Sequence, residues 1–386
     1  MKEKSKNSKS NILVIIRWPI GGIRSFINYT YNNFVNKDRY DFKILCPNYS
    51  ETKALFRDLK NLNVSYIPLG SDFNSIKLLK ALLQIIRSQN IDLIHSHGLT
   101  AGIHAAAIAR MFRIPHILTL HELLYKYQFQ NGLKAAIKLK ILSFLISMLD
   151  VIHLVSNDAK DNILECSPCL KNGRTKLAPI LNGIDIHRYM NPRRRDLRAE
   201  LNLSKEAFLI GFLGRFMPVK GFRYLIDALE YILMSSSTLN KKPVLLTFGW
   251  GAFIREEMQI AKRKGIGDSV ISLPFVNNVA DTIKALDIVV MPSLSEACGI
   301  LAMEAMVSGI PVIGTSCIGL REVLKDTPNV MVPPGDSLAL AEAIIKEIRH
   351  PSRSTAKSFR EEAASRFDVR KVSIQLENLM LELINS

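Results

Sequence analysis

Glu296 and Glu304 are separated by seven small or apolar residues in the stretch SLSEACGILAMEAMVSGIPVIGT (293–315). Two carboxylates in a segment that otherwise reads as buried backbone need partners. The preceding run DIVVMPS (287–293) reads as a strand, and a helix can begin near Gly299 and run to Ser308, with Gly309 as its stop and Pro311 just beyond. Glu296 then lies in the loop at the carboxyl end of the strand. Glu304 sits roughly 7 Å along the helix from its start, at about 1.5 Å per residue. The helix start offers the amides of Cys298, Gly299, Ile300 and Leu301 to an anion such as a diphosphate. Carboxylates beside bound phosphates would repel them, so both glutamates suit hydrogen bonds from hydroxyl groups. A ligand with phosphates in its middle and hydroxyl-bearing sugars at both ends, a nucleoside diphosphate sugar, fits this layout.

The elements around this stretch form two series. In the first, NILVIIRW (11–18), YDFKILCP (40–47), IDLIHSHG (91–98), PHILTLHE (115–122) and DVIHLVS (150–156) read as strands. The segments 23–35, 73–90 and 101–112 have helical periodicity. The pattern restarts with strands at 207–216 and 243–251, a helix at 221–235, and strands at 287–293 and 309–316. Strands rich in Ile, Leu and Val, separated by helices, predict parallel sheets buried on both faces. The fold class is therefore α/β, with two Rossmann-like doubly wound domains whose facing loops line a cleft. The polar, turn-prone segment between about 180 and 205 is the seam. The 386-residue length suits two domains at about 150 residues each. Neither RWPIGGIRS nor FLGRFMPVKGF matches G-x-G-x-x-G, which argues against a nicotinamide or flavin enzyme.

Charge separates the two halves. Residues 1–200 carry 30 Lys and Arg against 15 Asp and Glu, whereas residues 201–386 carry 21 against 20, within a total of +16. A basic first half can attract anionic lipid, nucleic acid or a phosphorylated substrate. The start MKEKSKNSKSNILVIIRW reads as a charged lead into a first strand and not as a signal peptide. Lys138, Lys140, Asp150 and His153 interrupt the apolar segment 135–155, which falls short of the roughly 18 uninterrupted apolar residues of a spanning helix. The segment 133–149, with Lys134, Lys138 and Lys140 among apolar residues, is a candidate interfacial helix or, equally, a core helix. Five cysteines fit a reducing compartment, and the lone pair Cys166 and Cys169 lacks the further ligands of a zinc site. A cytoplasmic protein, peripheral on the membrane at most, is expected.

SEACGILAMEAMVSGIPVIGT resembles the E-x7-E motif of the retaining glycosyltransferases of family 4, which have the GT-B fold. Five further segments resemble that family in the same order along the chain: WPIGGIRSF, the pair IDLIHSHG and ILTLHE, LNGIDIHRY, GFLGRFMPVKGF, and VISLPFVNNVADTIKALDIVVMPSLSEA. The resemblance implies an acceptor-binding domain over residues 1–182, a donor-binding domain over 183–368, and a C-terminal helix over 369–386 that returns to the first domain.

It also implies roles. Arg215 and Lys220 hold the donor diphosphate and stabilise its charge as the glycosidic bond breaks, Glu296 orients the transferred sugar, and His121 faces that sugar from the first domain. Glu304 accepts from the ribose hydroxyls. Gly21 and Gly22 let the first loop close over the diphosphate, and Cys298, Gly299, Ile300 and Leu301 surround sugar and phosphates. Gly214, Gly249, Gly251, Phe275 and Val276 complete the donor contacts. Beside these, His97 is read as positional, and His95 is given no role. Two departures stand out: Trp250 lies between Gly249 and Gly251 where the family often carries a polar residue, and Cys298 replaces a frequent aromatic.

The activity implied is retaining transfer of a sugar, with uridine the commonest base, from a nucleoside diphosphate sugar to a carbohydrate or lipid-linked acceptor in bacterial cell-surface glycan assembly. No cofactor is expected. No D-x-D occurs, and catalysis without a metal is expected. A nucleotide-sugar epimerase of the same fold is the alternative enzyme. A basic nucleic-acid binder is the alternative outside enzymology, weakened by the lack of a recognition-helix motif or interleaved aromatic and basic residues.

Overall fold

The computed structural model describes residues 9–71, 73–125, 132–193, 195–235, 239–249, 251, 253–274, 276 and 278–386. The chain forms two compact units, one of residues 1–183 with 369–386 and one of residues 184–368.

The first unit is built on seven parallel strands: β1 (Ser10–Ile16), β2 (Tyr40–Cys46), β3 (Val64–Pro68), β4 (Leu93–His97), β5 (His116–Leu120), β6 (Val151–Leu154) and β7 (Lys176–Pro179). Their order is β3-β2-β1-β4-β5-β6-β7. Alternation along β1 explains why a continuous apolar run is needed. Ile12, Val14 and Ile16 enter one core with Phe26, Ile27 and Tyr31, while Leu13 and Ile15 enter another with Leu78, Leu82 and Ala105. Each such fully buried aliphatic side chain contributes about 1.5–3 kcal/mol. The helix Val369–Asn385 packs into the first of these cores through Val372, Leu376, Leu379 and Met380. Glu377 of that helix accepts from the amides of Val35 and Asn36 at 2.8 and 2.9 Å, just beyond the helix Gly21–Asn32.

The second unit has six parallel strands: β8 (Ala207–Leu213), β9 (Lys242–Phe248), β10 (Val270–Leu273), β11 (Ile288–Met291), β12 (Val312–Thr315) and β13 (Val330–Val332). The order is β10-β9-β8-β11-β12-β13, with β8 central and its register against β9 running from Ala207↔Lys242 to Leu213↔Phe248. Phe208, Ile210 and Phe212 of β8 pack on Phe216, Phe222, Leu225 and Leu229. The unit is closed on itself where the Ile184 amide donates to the Phe367 carbonyl at 2.8 Å. Neighbouring strands β9, β8 and β11 therefore deliver three carboxyl-end loops side by side.

Candidate functional site

Close backbone approach shapes the loops after β8 and β9. A Cβ on Gly249 would lie 1.9 Å from the Gly214 carbonyl oxygen, so only glycine allows the two loops to touch there. Gly214 itself has φ of +154°. Gly251 meets the Phe216 backbone in the same way, and Val276 is half-buried. Trp250 and Phe275 lie outside the described residues. Arg215, next to Gly214, is exposed and has no side-chain partner among the described residues.

The turn Pro218–Lys220 follows, closed by Gly221 at φ +68°, whose Cβ position is occupied by the Pro292 carbonyl oxygen at 1.9 Å. The Leu294 amide donates to the Val219 carbonyl at 2.8 Å, which ties the β8 loop to the β11 loop. Lys220 Nζ consequently reaches both carboxylate oxygens of Glu296 at 2.7 Å, and Ser293 Oγ donates to Glu296 Oε1 at 2.7 Å. The two side chains are 28% and 9% exposed. Sequence reasoning gave Lys220 to a phosphate and Glu296 to a sugar as separate groups. The structure joins them, because opposite charges on two loops stitched together at backbone level pair when they are partly withdrawn from water.

The helix after β11 spans Ile300–Val307, with Gly299 ahead of it. Its run of Ile, Leu, Ala and Met includes strong helix formers and is interrupted only by Glu304. Gly309 at φ +68° ends it, donating to the Met306 carbonyl at 2.9 Å. The expectation of four free amides needs correction at Ile300, whose N–H donates back to the Cys298 carbonyl at 3.0 Å in a tight turn. Cys298 is half-buried and Gly299 buried. Glu304 Oε1 accepts from the Tyr189 hydroxyl at 2.6 Å. Burial pushes the Glu304 carboxyl up to about 7, against the lowering effects of Tyr189 and the Arg188 charge. Tyr189 sits in LNGIDIHRY, but sequence reasoning gave it no role; its aromatic at the end of an otherwise polar segment was the available signal.

In the first unit, Gly21 and Gly22 are not in a loop. They form the first turn of the helix Gly21–Asn32, with open space around both Cβ positions and φ of +57° at Gly21. His121 follows β5, and its neighbour Glu122 pins the segment by accepting from the Leu99 amide at 2.8 Å.

His121 is the end of a hydrogen-bonded series. His121 Nε2 lies 3.1 Å from His97 Nδ1, and His97 Nε2 lies 3.0 Å from the Tyr31 hydroxyl. That hydroxyl is 2.6 Å from His95 Nδ1, and His95 Nε2 is 2.7 Å from Thr119 Oγ1. Thr119 Oγ1 is 3.0 Å from His153 Nδ1, and His153 Nε2 is 3.2 Å from the Ile180 carbonyl oxygen. Register makes this possible, since Thr119 pairs with His97 on one side and His153 on the other. Burial holds His121 down at about 3 and His153 at about 4, and keeps His95 and His97 well below the usual imidazole range. Tyr31, Thr119 and His153 had no role in the sequence reading.

Comparison with known proteins gives two family matches. The model of the glycosyltransferase family 4 matches residues 20–188, and that of the glycosyl transferases group 1 matches residues 193–366. A UDP-Gal:alpha-D-GlcNAc-diphosphoundecaprenol alpha-1,3-galactosyltransferase of Escherichia coli is 22% identical over 84% of this chain and 84% of its own length. N-acetyl-alpha-D-glucosaminyl L-malate synthase of Bacillus anthracis is 24% identical over 80% of this chain and 79% of its own. Among solved structures, HepE of Anabaena, crystallised with UDP and glucose, superposes with a TM-score of 0.78 at 22% identity, covering 97% of this chain and all of that one. With both halves matched in order, and each built on a Rossmann-like sheet, the chain belongs to the family 4 glycosyltransferases of the GT-B fold.

Proposed function

We propose that the chain transfers a sugar from a UDP-sugar to a carbohydrate or lipid-linked acceptor, with retention of anomeric configuration and without a metal. The observation that carries this reading is the grouping of Lys220, Glu296 and Ser293 on loops at the carboxyl ends of β8 and β11, next to the helix bearing Glu304. Arg215, exposed on the same β8 loop, takes the diphosphate. Lys220, already neutralised by Glu296, shares its remaining donor with a phosphate oxygen. Both cations act where negative charge develops as the bond from the sugar carbon to the phosphate oxygen breaks. A bond from the acceptor oxygen to the same carbon forms on the same face, and the acceptor proton passes to the departing phosphate. Glu304 and Tyr189 receive the ribose hydroxyls, and Glu296 orients the transferred sugar. The uridine assignment is supported by the relative whose donor is UDP-Gal and by UDP in HepE.

A lipid-linked acceptor is reached at a membrane surface. No described helix is long and apolar enough to cross a membrane. The helix Gly132–Ile146 exposes Ile137, Ile141 and Phe144 at 47, 54 and 62%, spaced as one stripe, with Lys138 and Lys140 also exposed. This pattern supports peripheral attachment to an anionic leaflet, at the cytoplasmic face where cell-surface glycans begin.

Thermal unfolding with UDP, GDP, ADP and their sugars tests the donor reading. UDP and at least one UDP-sugar are expected to raise the transition by mass action. No shift with any nucleotide sinks it.

A further inference from the structure

The hydrogen bonds that end at His121 have one consistent direction. Ile180 offers only a carbonyl oxygen, so His153 Nε2 must donate to it. Histidines this deeply buried are neutral, so His153 Nδ1 is an acceptor and Thr119 gives it its single hydroxyl proton. Thr119 Oγ1 can then only accept from His95 Nε2, which leaves His95 Nδ1 to accept from the Tyr31 hydroxyl. Tyr31 has no second proton, so its oxygen accepts from His97 Nε2, and His97 Nδ1 accepts from His121 Nε2. Six links admit one solution. At its end, His121 Nδ1 carries a lone pair and has no partner among the described residues.

We infer that the Ile180 carbonyl, acting through His153, Thr119, His95, Tyr31 and His97, fixes His121 as the Nε2–H tautomer, with Nδ1 presented as a hydrogen-bond acceptor for a sugar hydroxyl. The sugar hydroxyl rests on the proposed function; the tautomer does not. The intervening groups are positioning residues that touch no substrate. A His121 able to flip between tautomers would offer a donor half the time, and a hydroxyl could meet it in either sense. The one-way chain removes that ambiguity. Phe26, edge-on to His121 at 5.0 Å between ring centroids, and His97, hydrogen-bonded to it edge to edge with the two ring planes 20° apart, hold the ring plane.

The test is two-bond 1H–15N correlation on the full chain labelled with 15N-histidine at pH 7.5, with His121 assigned by His121→Gln. A protonated Nε2 and an unprotonated Nδ1 are expected. A protonated Nδ1, an imidazolium, or a mixture overturns the inference. Thr119→Val cuts the chain at the fourth link from His121 and is expected to yield mixed tautomers and about a tenfold lower kcat/KM for transfer, one hydrogen bond's worth, with the UDP-induced thermal shift unchanged. Thr119→Ser is expected to restore both readings. A Thr119→Val protein with the wild-type tautomer also overturns the inference. If that variant fails to fold, the wild-type spectrum still decides. Loss of every nucleotide shift in the wild type counts against the donor reading alone, since the tautomer is read without any ligand.

Discussion

Lys220 Nζ is equidistant, at 2.7 Å, from the two carboxylate oxygens of Glu296, although 76 residues separate them in the chain. The pair is partly withdrawn from water, so each charge depends on the other. Lys220→Ala leaves a carboxylate largely buried, with Ser293 as its remaining side-chain hydrogen-bond partner among the described residues. A loss of about 2 kcal/mol in stability is expected, below the cost of breaking a fully buried pair because Lys220 is partly exposed. Transfer should fall by roughly 10²–10³-fold as the cation at the departing phosphate disappears. The double variant Lys220→Ala/Glu296→Ala should regain much of the stability and none of the activity. Urea unfolding and initial rates separate the two effects, and a double variant less stable than the sum of the singles contradicts the pairing.

Tyr189 and Glu304 make a pH-dependent element of the same unit. The folded carboxyl, raised to about 7 mainly by burial, binds a proton more tightly than in the unfolded chain. Its contribution to stability is therefore present below the unfolded value of about 4.3 and is lost as pH rises through 7. Ribose hydroxyls donating to Glu304 favour the carboxylate, so UDP binding near pH 7 should release a proton and tighten several-fold between pH 6 and 8. Glu304→Gln should flatten that dependence. Titration calorimetry in buffers of different ionisation enthalpy reads the proton directly, and proton uptake would contradict the assigned contact.

How much of this was legible in the sequence follows from what was local. Runs such as NILVIIRW announce a strand because both faces of a central parallel strand must be apolar. The four edge strands, β3, β7, β10 and β13, were missed because an edge relaxes that demand: Ser65, Tyr66 and Pro68, Lys176 and Ser272 are exposed, and β13 is only three residues long, with Val330 and Met331 exposed. The glutamate pair and the helix between Gly299 and Gly309 could be read, since spacing and stop signals lie within one segment. The partners could not. Tyr189 meets Glu304 across 115 residues, and the histidine series draws on three strands and a helix, so its members lay scattered over separate runs. The turned-in Ile300 amide depends on a backbone detail that no residue type announces.

The neutral histidines of the first unit predict acid lability. His95, His97, His116, His121 and His153 are all held below the ordinary imidazole value by burial, so the unfolded chain binds more protons than the folded one as pH falls. Stability from these groups is complete above about pH 6.5 and is lost below it, at about 1.4 kcal/mol per pH unit for each histidine that stays neutral. The unfolding temperature of the first unit should be flat from pH 8 to 7 and drop steeply from 6.5 to 5. An unchanged midpoint at pH 5.5 would mean that the native state carries these rings charged.

Ile137, Ile141 and Phe144 form an apolar stripe on a helix that also exposes Lys138 and Lys140. Two forces then act at an anionic bilayer: burial of the stripe, and attraction of about 1 kcal/mol per well-placed lysine. Binding to vesicles with phosphatidylglycerol is expected to exceed binding to neutral vesicles and to weaken, without vanishing, as salt rises. Replacing Ile141 and Phe144 by serine should remove the salt-resistant part, while Lys138→Ser/Lys140→Ser should remove most of the dependence on lipid charge. Both variants change exposed side chains, so the unfolding temperature should stay within a few degrees of the wild type. Flotation across a salt series measures both components, and equal recovery of the wild type and the Ile141→Ser/Phe144→Ser variant at high salt would exclude this helix as the point of attachment.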